Sequence, residues 1–153
     1  MKSAARFPFL LTALMAMLLA LAVAGLPGCA TQTAGNAMTT QELVAEAQTL
    51  APTITTAEAK ARLEAGGVLL IDVREPSEFK LGHLGGAMNI PRGLLEFKVT
   101  GEVPDKATPI VVYCKVGGRG ALAAATLTRM GYTNVANMDG GWEAWLKAGY
   151  PAG

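Results

Sequence analysis

The chain has 153 residues, 13 basic and 12 acidic, with a formal net charge of +1 and a hydrophobic fraction of 51%. That length supports one domain of ordinary size. The near balance of charge, with no clustering of Lys or Arg, excludes a nucleic-acid-binding surface.

The first 28 residues read as an export segment. Lys2 and Arg6 form a short basic start, and residues 7–26 carry no charge and are rich in Leu, Ala and Met. This is the n-region and h-region pattern of a secretory signal. Roughly 20 apolar residues would also suffice for a permanent membrane helix. Leu26-Pro27-Gly28-Cys29 decides between the two, because it resembles a bacterial lipobox, although Pro27 is an uncommon occupant of its position. On this reading residues 1–28 are a lipoprotein-type signal peptide and Cys29 is lipidated as the mature N-terminus. Removing Lys2 and Arg6 from the 13 basic residues leaves 11 against 12 acidic ones, a net charge of −1. Ala30 in place of Asp after Cys29 resembles lipoproteins sorted to the outer membrane of a two-membrane bacterium. The expected location is therefore the periplasmic side, anchored to the membrane by lipid.

Residues 30–38 are small and polar and read as a flexible tether. Leu43, Val44, Ala47 and Leu50 fall at helical spacing over residues 40–50, and Pro52 ends that helix. Residues 29–52 thus form the lipidated N-terminus, tether and short helix, and residues 53–151 the domain proper. Thr55 followed by Glu58 fits a capping box for a helix over residues 56–65, which stops at Gly66-Gly67. Val68-Leu69-Leu70-Ile71 and Ile110-Val111-Val112-Tyr113 are continuous apolar runs suited to strands buried on both faces. Weaker strands are expected at 87–90 and 135–138, with helices at 120–130 and 141–148. Alternating strands and helices imply an α/β fold with a parallel sheet covered on both faces. Ligands in such sheets bind beyond the carboxyl ends of the strands. Asp72 and Cys114 stand at two of those ends.

If Cys29 is lipidated its sulfur is a thioether, and Cys114 is left unpaired in an oxidising compartment. An unpaired thiol is commonly a small buried hydrophobe, and only its surroundings argue otherwise. Those surroundings are Tyr113-Cys114-Lys115-Val116-Gly117-Gly118-Arg119-Gly120, between a buried strand and a helix start. Glycines let the backbone curl with its N–H groups inward, as an anion-binding nest. The helix start adds partial positive charge. Lys115 and Arg119 add full charges, and Arg119 offers a two-pronged donor set. A sulfur in such a ring is expected to have a lowered thiol pKa and to be nucleophilic, and the same ring would hold an anionic persulfide.

Three separated signatures resemble the rhodanese family: Asp72-Val73-Arg74-Glu75-Pro76-Ser77-Glu78-Phe79 leading through Gly82-His83-Leu84-Gly85-Gly86-Ala87 to Asn89-Ile90-Pro91, the Cys114–Arg119 loop, and Gly140-Gly141-Trp142-Glu143-Ala144-Trp145 running to Pro151. The resemblance implies a rhodanese-like five-stranded parallel sheet with helices on both faces. It also implies an enzyme of the thiosulfate sulfurtransferase class, needing no cofactor, with Cys114 as catalytic residue. Cys114 would take sulfane sulfur from thiosulfate or a persulfide donor. It would pass that sulfur to a thiol, to cyanide or to a protein acceptor. Lys115, Val116, Gly117, Gly118 and Arg119 would bind the substrate, with little polar bulk at Val116 and Gly118 for choosing a donor.

Only four residues separate Cys114 from Arg119. Phosphatases and arsenate reductases resembling this fold use a loop one residue longer, usually with His where Tyr113 stands, so those activities rank below sulfur transfer. A sulfur-carrier or interaction module shares the same loop and remains the main alternative. A domain that has lost catalysis would not need Cys114 and Arg119. Asp72 and Arg74 are expected to support the pocket, with Arg74 and Glu78 paired across the strand-to-helix turn. His83, the only histidine, excludes a His-based metal cluster and is assigned to the fold rather than to a Cys–His pair. Arg92 reads as a solvated charge, and Trp142 and Trp145 as one apolar helix face.

Overall fold

Two capping boxes set the first helices. In α1 (Thr40–Leu50) the Thr39 hydroxyl accepts from the Glu42 N–H, and Glu42 accepts from the Thr39 N–H at 2.7 Å. Thr55 and Glu58 repeat this at α2 (Thr56–Ala65), as their spacing predicts. Each box satisfies two amides that a helix start otherwise leaves unpaired. The computed structural model describes residues 37–153, and Met38–Gly153 form one compact unit that includes α1. The predicted signal segment, Cys29 and the tether up to residue 36 lie outside the described residues.

Five strands form one parallel sheet: β1 (Thr53–Ile54), β2 (Leu69–Asp72), β3 (Met88–Asn89), β4 (Ile110–Tyr113) and β5 (Val135–Met138), in the order β1-β5-β4-β2-β3. Between them run α3 (Pro76–Lys80), a 3₁₀ turn at Arg92–Leu94 continuing into α4 (Leu95–Glu102), and α5 (Gly118–Arg129). Helix α6 (Gly141–Lys147) follows β5. The two apolar runs hold the sheet's centre because each buries both faces. Ile110 and Val112 join a core with Val99, Ala124 and Leu127, while Val111 and Tyr113 join one with Ala59, Met138 and Trp145. Alternation at a period of two sends successive side chains to opposite sides.

The structure trims the expected elements. β2 runs one residue later than the apolar run and takes in Asp72, the strand at 87–90 keeps only Met88–Asn89, and α5 starts at Gly118 rather than Gly120. Strand β1 and helix α4 have no counterpart in the reading of the sequence. α4 buries only Leu95 and Val99, carries Gly101 and has no side-chain cap, so its periodicity is too thin to see.

α1 lies on α5 through small residues: Ala47, Ala121 and Ala125 are buried together, and Arg129 reaches Glu46 at 3.1 Å. A side chain on Gly118, the first residue of α5, would touch Val44 Cγ2 at 3.7 Å, so α1 abuts the turn that follows Cys114. Ala47→Glu places an unpaired charge in this seam. It is expected to undock α1 at a cost of about 2 kcal/mol or more, read as faster proteolysis within residues 38–51 and a lower urea midpoint.

Candidate active site

Cys114 is the first residue past β4, and the strand's alternation carries its side chain to the α5 face with Ile110 and Val112. It is 1% exposed. Directly beyond it the chain bends into residues 115–117, and the Gly117 N–H donates to Cys114 Sγ at 3.2 Å. The amides of Lys115, Val116, Gly118, Arg119 and Gly120 have no acceptor among the described residues. They sit at and before the first turn of α5, where helix geometry leaves N–H groups unpaired and an anion is favoured.

The loop carbonyls are held by the start of α6. Trp142 N–H donates to Cys114 O at 2.8 Å, and Glu143 N–H to Lys115 O at 3.0 Å. Gly141 makes this approach possible, because any side chain there would overlap Cys114 O. The Gly140-Gly141-Trp142 signature is therefore part of the site: it ties down the loop's acceptors. Its sequence signal was present, but only the fold shows what it touches.

The charges are arranged differently from expectation. Arg119 donates both prongs to Glu78, Nη1 to Oε2 at 2.9 Å and Nη2 to Oε1 at 3.0 Å. Lys115 Nζ lies 3.5 Å from Glu143 Oε1 and is largely in water. Each expected cation thus has a carboxylate partner. Glu78 does not pair with Arg74; Arg74 turns instead to Asp72, and Glu78 to Arg119, 41 residues away. Val116 stands exposed at the loop tip.

The rhodanese-like domain family matches residues 55–148, well over half of the chain. The chain belongs to the rhodanese family. A sulfurtransferase of Allochromatium vinosum is 38% identical over 84 residues, covering 55% of this chain and 77% of that protein. Among solved structures, the polysulfide-sulfur transferase homodimer of Wolinella succinogenes superposes with a TM-score of 0.63 at 33% identity, over 71% of this chain and 82% of that one. A Rhodopseudomonas palustris protein of unknown function, described as a possible tyrosine phosphatase, gives 0.68 at 33% identity over 84% of this chain and all of that one. Sulfur transfer is the general chemistry of these sulfurtransferase relatives.

In this rhodanese domain the end of β2 holds a buried polar cluster. Asp72, 0% exposed, accepts from Arg74 Nε at 2.9 Å and Nη2 at 2.7 Å and from the Arg74 N–H at 2.9 Å. Arg74 Nη2 also donates to Gly82 O, and Asn89 Nδ2 to the carbonyls of Asp72 and Arg74. Tyr113, which precedes Cys114, accepts from the Leu84 N–H through its hydroxyl, and burial pushes its phenol above the usual range. His83 stacks on Phe79 with its Nδ1 3.1 Å from Phe79 O, and its backbone pairs with Gly153. Arg92 is held by Glu96 and Thr126 rather than solvated.

Hydrogen bonds from Arg119 hold the Glu78 carboxyl far below its ordinary 4.5, at about 2, against the opposing effect of burial. The folded value lies below the unfolded one, so the stabilisation is complete above about pH 4.5 and is lost as pH falls through about 2. Side-chain exposures of 37% and 30% let solvent screen the pair. Glu78→Gln is expected to cost about 1 kcal/mol or less at pH 7. Its urea midpoint should converge on that of wild type as pH is lowered to 2.

Proposed function

We propose that this chain is a thiosulfate- or persulfide-dependent sulfurtransferase, exported and lipid-anchored through Cys29, that carries sulfane sulfur on Cys114. The observation that carries the reading is the Cys114 sulfur at the floor of a four-residue loop, with the Gly117 N–H on it and five more amides without acceptors around it. In the first half-reaction the Cys114 thiolate attacks the outer sulfur of thiosulfate. The S–S bond of the donor breaks, its electron pair leaves with sulfite, and an Sγ–S⁻ persulfide remains. In the second, an acceptor thiolate or cyanide attacks that outer sulfur and returns the electron pair to Sγ. Splitting transfer in this way is nucleophilic catalysis, and inward amides stabilise the anionic sulfur in both steps.

The Arg119–Glu78 pair gives Arg119 a bracing role: its last-residue position in the loop is fixed to α3, and the amides supply the anion contacts. The tight loop suits one anionic sulfur better than a tetrahedral oxyanion, which favours sulfur transfer over phosphatase or arsenate reductase chemistry. Intact-mass spectrometry after exposure to thiosulfate tests this. One added sulfur atom on wild type and none on Cys114→Ser supports it; no added sulfur on wild type with any sulfane donor refutes it.

A further inference from the structure

All four residues of β5 are buried, and Val135, Ala136 and Met138 are the apolar ones. The fourth is Asn137, 1% exposed, and both ends of its carboxamide lack a hydrogen-bond partner. Among the described residues no other buried side chain is left in this state. Buried amides ordinarily find partners, because a dry, unpaired polar group costs free energy. An apolar side chain of similar shape would avoid that cost. Residues that break the burial pattern in this way gather at functional sites.

Asn137 stands next to the reactive end of β4. It pairs with Val112, two residues before Cys114, and its N–H donates to Pro52 O at 2.9 Å. Val135 joins the core on the α5 side of the sheet, whereas Ala136 and Met138 join the other. By alternation the Asn137 side chain shares the α5 side with Val112 and Cys114. There its Oδ1 meets the first turn of α5. A Cβ on Gly120 would stand 2.3 Å from that oxygen and 3.5 Å from the Cys114 nitrogen. Gly120 has no positive φ, so its missing side chain makes room for Asn137 rather than freeing the backbone. The Cys114 N–H is also without an acceptor among the described residues.

We propose that Asn137 is a positioning residue for sulfur transfer: its carboxamide and the Cys114 N–H share one buried water, which fixes the backbone at Cys114. The proposal rests on Cys114 being the sulfur carrier. A buried water is held by about two to four polar partners. The carboxamide supplies a donor and an acceptor, and the Cys114 amide a second donor. One rotatable bond separates the Cys114 backbone from its sulfur, so fixing that backbone fixes where Sγ points among the loop amides. Transfer needs the attacking sulfur held in line with its donor. Asn137 is too deeply buried to touch a donor or acceptor itself, and acts through Cys114.

The test uses the full chain with thiosulfate as donor and cyanide as acceptor. Asn137→Leu removes both unpaired atoms, and its urea midpoint is expected at or above that of wild type. Its kcat is expected to fall about 10-fold, the worth of one positioning hydrogen bond, with KM for thiosulfate within about 2-fold. Asn137→Ser keeps a hydroxyl and leaves room for water. Its kcat should fall only about 3-fold, although the cavity lowers its urea midpoint. The two variants thus rank oppositely in activity and stability, which a merely structural asparagine would not produce. Independently, the Cys114 amide proton should show a rotating-frame Overhauser peak to water in wild type and none in Asn137→Leu. An Asn137→Leu kcat within about 2-fold of wild type, kcat values that follow the urea midpoints, or no water peak in wild type would each overturn the proposal. Wild type that takes up no sulfur by intact mass, with the water peak present, would sink the sulfur-carrier reading and leave the Asn137 water standing.

Discussion

Cys114→Ala is expected to lower sulfur transfer by about 10³-fold or more while the domain stays folded. The magnitude follows from removing the group proposed to hold the transferred sulfur, since the rest of the loop can stabilise an anion but cannot form the covalent intermediate. Steady-state turnover with thiosulfate and cyanide reads the loss. Cys114→Ser separates chemistry from packing. At 1% exposure the serine hydroxyl takes the thiol's place and gives the Gly117 N–H an acceptor again. Its stability should fall by no more than about 1 kcal/mol, although activity is lost to the same degree. A Cys114→Ser protein that retained more than about a tenth of wild-type turnover would contradict the role assigned to the sulfur.

The second large effect is on stability. Asp72 and Arg74 form a buried ion pair at 0% and 3% exposure, with three side-chain hydrogen bonds at 2.7, 2.9 and 3.1 Å. Arg74→Met leaves the Asp72 carboxylate without its partner in the interior. The expected cost is about 3–5 kcal/mol, because an uncompensated buried charge is penalised more heavily than a buried pair is rewarded. Against a typical domain stability of about 5–15 kcal/mol this is a large share. The double variant Asp72→Leu/Arg74→Met removes both charges and should recover at least about 1 kcal/mol of it. Urea denaturation of the three proteins gives the comparison, and a double variant no more stable than Arg74→Met would refute the explanation. Arg74 also contacts the Trp142 ring and the Gly82 carbonyl, so the single variant should loosen both.

The site was unevenly legible in the sequence. Cys114 stood out because a fully apolar strand stops at a thiol followed by glycines and a helix start, all of which are local facts. Asp72 and Arg74 stood out as polar residues at the other central strand's end. Glu78 was visible but given the wrong partner. Spacing of four residues made Arg74 its natural neighbour, whereas Arg74 is drawn two residues back to Asp72 and Glu78 across the fold to Arg119. The role of Gly141, Trp142 and Glu143 was hidden for the same reason, since the Trp142 and Glu143 amides meet carbonyls 28 residues away and Gly141 leaves room for them.

The sequence alone determined the alternation of helices and buried strands, the two threonine capping boxes, and the position of Cys114 just past a buried strand. Each rests on residues within a few positions of one another, where backbone geometry and burial pattern are decisive. The order β1-β5-β4-β2-β3, the docking of α1 on α5 and the pairing of every cation near the loop were decided by tertiary structure. Charge partners are chosen by what the packed core brings within about 3 Å, and that distance is set by strand order and helix contact rather than by separation along the chain.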